Sequence, residues 1–237
     1  VSTPNVSATR QAVVLAGGNA TRLRPYTDDK PKPLVEIAGK TIFQRQCDWL
    51  AEGGIEHVVV ACGYRADVFE DFVATTPLPL SVTIVREETQ LGRGGGLKFG
   101  AAALPHQGES WLGLNGDVLT DAPVGELCAQ HTATGAAATI AVAQYRCPYG
   151  VLDIADDTDA IRSFVEAPLL PYWINAGIYV FDPATTALLP DVGDHEDSTF
   201  PDLATENRLF AYRITGRWRG IDTVKDVQEA NKALAGR

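Results

Sequence analysis

The chain has 237 residues, 45% of them hydrophobic, and its 20 lysines and arginines against 30 aspartates and glutamates give a formal charge of −10. That excess of acid excludes a general nucleic-acid or membrane-surface binder, which needs a net basic face to neutralise phosphates. No run approaches the roughly 20 apolar residues of a membrane helix. The polar start Val1–Arg10 reads as a loose terminus without a leader pattern, and the four cysteines and four histidines are scattered without metal-ligand spacing. A reduced, cytoplasmic enzyme of one domain fits these bounds.

In chain order, the β-branched run Ala12–Ala16 reads as a buried strand that Gly17-Gly18 ends. Thr41–Glu52 has apolar residues at near-helical spacing and is closed by Gly53-Gly54. Strand, helix and strand follow at His57–Ala61, Ala66–Ala74 and Ser81–Val85, then a helix at Gly94–Leu104 and a strand at Trp111–Leu114. This alternation predicts a mostly parallel sheet covered on both faces. The second half is β-like at Ala136–Tyr145, Gly150–Ile154, Ile161–Val165 and Ile174–Phe181, an antiparallel or mixed extension on the substrate side. A last helix is predicted at Val224–Leu234.

The chemistry begins at Leu15–Leu34, LAGGNATRLRPYTDDKPKPL. A glycine turn at the carboxyl end of a strand lies where ligands bind in open α/β sheets, and its amides can wrap phosphate oxygens. Arg22 adds a planar fork of donors, and Lys32 is held between Pro31 and Pro33, which restrict its backbone. Between Arg22 and Lys40 five cations face three anions, a local basic zone on an acidic protein. In LNGDVLTD, Asp117 follows an apolar strand and suits Mg²⁺, which takes one or two carboxylates with waters and phosphate oxygens. In LGRGGGLKFG three glycines precede a predicted helix, where a flat base could lie against backbone; Gln90, Gly94 and Gly95 are the candidates for contacting it.

The twenty-residue block resembles the GGxGTRLxPLT…PKPL signature of the sugar-1-phosphate nucleotidylyltransferases, with Asn19 and Ala20 where that pattern carries a small residue and glycine. The resemblance implies a Rossmann-like three-layer α/β/α fold. Residues about 11–135 would form the nucleotide-binding half and about 136–237 the sugar-phosphate half. It implies that Leu15, Ala16, Gly17, Gly18 and Thr21 bind the nucleotide, that Arg22, Lys32 and Asp117 are catalytic, and that Asp117 holds Mg²⁺. Gly150 after Tyr149, Glu166, and Asn175 in INAGIYVF match the sugar-phosphate side.

Two departures accompany it. The family's EKP triplet reads Glu166-Ala167-Pro168 here, which removes a lysine that pairs with the sugar's phosphate; Arg217, Arg219 and Lys225 are the substitutes considered. The WxDxGT tail reads WRGIDT, with Gly220 in the aspartate's place, and its similarity to the MDT variant of cytidylyltransferases assigns the second metal ligand to Asp222. The expected partners are an NTP and a sugar 1-phosphate, and the resemblance also implies a homo-oligomer. The LNGD block favours GTP, with cytidylyl, thymidylyl, uridylyl or adenylyl transfer as alternatives. A non-catalytic nucleotide-sugar-binding regulatory subunit is the rival reading.

Overall fold

The computed structural model describes residues 9–18 and 20–235; most of the polar start expected to be loose, and Asn19 of the first loop, lie outside the described residues. Strand β1 (Gln11–Leu15) sets the layering. Ala12 and Val14 point into one core, while Val13 and Leu15 point into another. A strand buried on both faces needs apolar residues at successive positions, and this one has them.

A short hairpin of β2 (Glu36–Ile37) and β3 (Lys40–Thr41) leads into α1 (Ile42–Glu52), which a Thr41/Gln44 capping box starts. There follow β4 (His57–Cys62), α2 (Ala66–Thr75), β5 (Ser81–Arg86), α3 (Gly92–Ala101) and β6 (Trp111–Asn115). Then come β7 (Val118–Thr120), α4 (Val124–Thr134), β8 (Ala138–Arg146), β9 (Val151–Ile154), β10 (Ile161–Val165) and β11 (Leu169–Phe181). The described chain ends with α5 (Thr199–Thr205), β12 (Leu209–Arg213), β13 (Trp218–Gly220) and α6 (Val224–Leu234).

Seven strands form the central sheet in the order β12-β8-β11-β6-β1-β4-β5. Only β11 runs against its neighbours; β6, β1, β4 and β5 are mutually parallel, and β12 is parallel to β8. Phe43 and Leu50 of α1, Phe69 of α2 and Leu127 of α4 pack one face, and Leu97 of α3 with Phe200 and Leu203 of α5 pack the other. The three-layer α/β/α arrangement expected from sequence is present. No helix among the described residues is long and apolar enough to cross a membrane.

One expectation needs correction. Helix α3 begins at Gly92, so the glycine run lies inside its first turns. The mixed extension expected of the second half is present: β11 runs antiparallel between β6 and β8 and β12 closes that edge, while β9 and β10 form a two-stranded antiparallel pair of their own. Helix α4 went unanticipated because Gly125 and a threonine-rich end blur its apolar stripe.

His195 is fully buried against Tyr179, Phe181 and Phe200, with ring centroids 4.6 Å apart for the Phe200 pair. Burial lowers its pKa to about 4, with a further lowering contribution from the nearby Arg93 and an opposing one from Asp194. The unfolded imidazole takes its proton near 6.5, so between these values the unfolded state binds more protons. Stability present above pH 6.5 is therefore lost as the pH falls toward 4, by about 3 kcal/mol in all. Glu196 lies 3.2 Å from the ring and is itself pushed up by burial, which acts in the opposite sense. We expect urea midpoints measured from pH 7 to 4 to fall more steeply in the parent than in His195→Phe; parallel acid limbs would refute the assignment.

Candidate active site

At the carboxyl end of β1 the chain stays extended through Ala16, whose amide donates to Ala61 O at 2.8 Å. Gly116 N–H donates back to Leu15 O, and a Cβ on Gly116 would fall 2.4 Å from that oxygen and 2.6 Å from Pro33 Cγ. Only glycine lets the β6 turn close on the first loop and on the Lys32 segment together. Ala20 adopts φ 42° and ψ 43°, the left-handed conformation for which the resembling pattern supplies glycine. Its carbonyl is held by Thr27 Oγ1 at 2.9 Å, and Leu23 anchors the following Thr21–Leu23 turn in a buried cluster with Ile37, Ile42 and Ile221. Thr21 itself is exposed.

Lys32 stands at the start of the Lys32–Leu34 turn, with Pro33 and Leu34 buried beneath it. Its Nζ donates to Asp117 Oδ2 at 2.5 Å and to Asp222 Oδ1 at 2.9 Å. Arg22 Nη2 reaches the same Asp222 oxygen at 3.1 Å from a largely exposed position. Sheet pairing explains how residues so distant in sequence meet. β7 pairs with β13 in antiparallel register, Val118 opposite Gly220, and Ile221 N–H donates to Asp117 O at 2.9 Å. Asp222 is the next residue and is fixed by its amide bond to Asp226 Oδ2, at the capping box of α6. The structure thus brings Arg22, Lys32, Asp117 and Asp222 to one point. Two carboxylates converging on one cation are the donor set that Mg²⁺ uses when phosphate oxygens and waters complete its shell. No cluster of three or more potential metal ligands occurs among the described residues.

On the second side, a Cβ on Gly150 would lie 3.0 Å from Glu166 Oε2, so these two candidates adjoin. Asn175 already has both ends of its amide engaged: Nδ2 donates to Tyr179 Oη at 3.0 Å, and Oδ1 accepts from Gly177 N at 2.8 Å. Its lone pairs retain one further acceptor position. The substitutes considered for the missing lysine are engaged elsewhere. Arg217 pairs with Asp121 at 2.7 Å, Arg219 with Glu229 at 2.8 Å, and Lys225 lies 3.8 Å from Glu229. The cation found beside Ala167 is Arg146, whose Nη1 donates to the Ala167 carbonyl at 2.9 Å.

The base-contact expectation changes most. Gly94 and Gly95 use their amides on Gly193 O, at 2.9 and 3.2 Å, and their Cα atoms press against Pro190 and Asp191. They dock a loop to α3, and those amides are not free to read a base edge. Gln90 lies on the exposed turn before α3. The residue that sequence reasoning passed over is Glu87, just beyond β5, with its carboxylate beside Gly17 and Gly96. The available signal was positional: like Asp117 after β6, it is a carboxylate at the carboxyl end of a parallel strand.

The family profile described as nucleotidyl transferase matches residues 11–236. Mannose-1-phosphate guanylyltransferase catalytic subunit beta of Drosophila melanogaster is 34% identical over 230 residues, covering 94% of this chain and 62% of that protein. Its counterpart in Dictyostelium discoideum is 33% identical over 223 residues, covering 91% and 62%. The chain therefore spans about three-fifths of the length of these curated relatives. Among solved structures, HddC from Yersinia pseudotuberculosis is similar in fold, with a TM-score of 0.73 at 24% identity over 95% of this chain and 100% of that one. With the match running through the first loop, the Asp117 turn and the tail, the chain belongs to the nucleotidyl transferase family, that of the sugar-1-phosphate nucleotidylyltransferases.

Proposed function

We propose that the protein transfers a guanylyl group from GTP to a sugar 1-phosphate, releasing pyrophosphate. The observation that carries this reading is Lys32 held between Asp117 and Asp222, with Arg22 alongside, at the mouth of a glycine loop. Guanine and mannose 1-phosphate come first among substrates because both relatives named above carry them in their names.

Asp117 and Asp222 would hold Mg²⁺. When bound, that ion supplies charge neutralisation at the α-phosphate. The remaining work falls to the chain. Gly17 and Gly18 offer backbone at the triphosphate, and Arg22 exchanges its bond to Asp222 for phosphate oxygens. Lys32, only 15% exposed and already bonded to both carboxylates, would bridge toward the phosphates from between its proline neighbours. The acceptor phosphate is already ionised and attacks the α-phosphorus in line, so no general base is required. Positioning two bound reactants is worth roughly 7 to 11 kcal/mol of the barrier. Gly150, Glu166 and the free acceptor position of Asn175 take sugar hydroxyls, and Arg146, bonded to the Ala167 carbonyl, supplies positive charge at the place of the family's lysine. In this reading residues of about 11–135 serve the nucleotide and those after about 136 the acceptor, on one shared sheet.

Pyrophosphate release from GTP and mannose 1-phosphate with Mg²⁺ tests the reading. We expect turnover in the parent and a loss in kcat on the order of 10²- to 10³-fold in Lys32→Ala, comparable to removing one transition-state donor. Silence of the parent with every NTP and sugar phosphate, while GTP still binds, would favour a regulatory subunit.

The acceptor side has its own test. Glu166→Ala should raise the sugar-phosphate KM by about 10- to 100-fold, the value of a charge-assisted hydrogen bond, and leave the GTP KM unchanged. Arg146→Ala should behave likewise, and Ala167→Lys should restore it in that background. Equal shifts in both substrates' KM would show that these residues act on the fold instead.

A further inference from the structure

Helix α1 buries Ile42, Phe43, Gln46, Cys47 and Leu50. Four of these make the apolar stripe expected of a helix packed on a sheet. Gln46, only 2% exposed, breaks it. Its Nε2 donates to Asn115 O at 2.9 Å and to Val118 O at 3.0 Å, which fixes the orientation of the amide, because only its NH₂ end can meet two carbonyls. Its Oε1 is buried with no partner among the described residues. A leucine or methionine would fill the same place with no polar atom of its own left unpaired, so packing alone does not account for a glutamine. The two carbonyls do, because they bracket Gly116 and Asp117.

These four residues make the turn from β6 into β7. Gly116 N–H donates to Leu15 O at 3.0 Å, and Asp117 O accepts from Ile221 N–H at 2.9 Å. Those bonds hold the turn from β1 and from the residue that follows β13. Gln46 supplies the third hold, from α1, and it is the one that spans the turn from end to end. With backbone groups of all four residues engaged, the Asp117 carboxylate has only its own side-chain rotations left, and Oδ2 lies 2.5 Å from Lys32 Nζ. Mg²⁺ demands near-ideal octahedral geometry, so a ligand that drifts loses affinity. Helix α1 carries a second polar hook, Trp49 Nε1 donating to Ala122 O at 2.7 Å, but that carbonyl lies beyond β7 and outside the turn.

Resting on the assignment of Mg²⁺ to Asp117 above, we propose that Gln46 is a positioning residue of the metal site, its amide clasping the two ends of the β6–β7 turn and holding the Asp117 carboxylate where the ion and the triphosphate meet it. It acts through Asp117 and touches neither substrate.

Calorimetric affinities for GTP, measured once with Mg²⁺ and once in EDTA, separate the ion's contribution to nucleotide binding from that of the loop, without turnover. Gln46→Met removes the donor at nearly constant volume, and Gln46→Leu is the second apolar variant. In both, GTP binding with Mg²⁺ should weaken by about 10- to 100-fold, the usual loss when a group that orients a metal ligand is removed, while binding in EDTA stays at the parent's level. The kcat should fall by a similar factor with the sugar-phosphate KM unchanged. Trp49→Phe, which gives up the neighbouring bond of the same helix, should lower the thermal midpoint and leave the Mg²⁺ effect intact. Asp117→Asn gives the size of the whole metal contribution. If it keeps the parent's gain from Mg²⁺, the metal assignment falls and Gln46 has nothing to position; if it loses that gain while Gln46→Met and Gln46→Leu keep it, only the positioning role falls. A loss in EDTA equal to that with Mg²⁺, a loss in Trp49→Phe in step with its thermal midpoint, or failure of both apolar variants to fold would assign Gln46 to the stability of the fold and overturn the proposal.

Discussion

One ammonium group organises the candidate site. Lys32 Nζ lies within 3 Å of oxygens from Asp117 and Asp222, which are 85 and 190 residues away in sequence. Two carboxylates brought this close repel each other, by several kcal/mol at the effective dielectric of a partly buried site, and a cation between them reverses the sign. Each member is fixed by a different device. Prolines and buried Leu34 hold the lysine, the end of β6 presents Asp117, and the β7–β13 pairing with the α6 capping box delivers Asp222. The rest of the architecture can be read as the means of making these three arrive together. In the proposed reaction an arriving triphosphate would meet a cation already in place, with little reorganisation left to make, and preorganisation of that kind is where electrostatic catalysis gains most.

Close backbone approach is the second constraint. Gly116 seats the Asp117 turn on Leu15 O and Pro33, which couples three separate loops with no side chain between them. Ala20 holds the left-handed conformation without being glycine, at a cost of about 1 kcal/mol. The turn that follows is secured from outside by Thr27 and from below by Leu23. The loop's conformation is therefore set by its surroundings as well as by its own residues.

How much was legible in the sequence follows from how local each signal is. The apolar runs of β1, β4 and β6 and the spacing in α1 and α6 carry their own periodicity, and the layer order follows from their alternation. Lys32 and Asp117 lie in contiguous patterns with a chemical reason for each residue. Asp222 needed the resemblance, because nothing in WRGIDT itself says which residue faces Asp117; the β7–β13 register decides that. The glycine run misled because glycine is ambiguous. In Gly94 and Gly95 it serves close packing against Pro190 and Asp191, and in Gly17 and Gly96 it leaves space beside a carboxylate. Glu87 was hidden for the same reason. A charged residue after a strand ordinarily reads as solvated, and only the fold turns its side chain inward. Arg146 was equally invisible, since 21 residues separate it from the carbonyl it meets.

These displaced charges share a logic. In the proposed reading Asp117 and Asp222 meet the phosphates beside Arg22 and Lys32, and Glu166 faces the acceptor. On a protein of net charge −10, a polyanionic ligand is admitted only where the cations stand. The acids then act as filters. In the proposed reaction the aspartate pair would accept phosphate through the lysine and arginine beside it and through a divalent ion, whereas Glu166 would repel phosphate and accept from sugar hydroxyls. In the proposed reaction the order of charges would set the direction in which a nucleotide and a sugar phosphate lie, and with it which phosphorus is presented for attack.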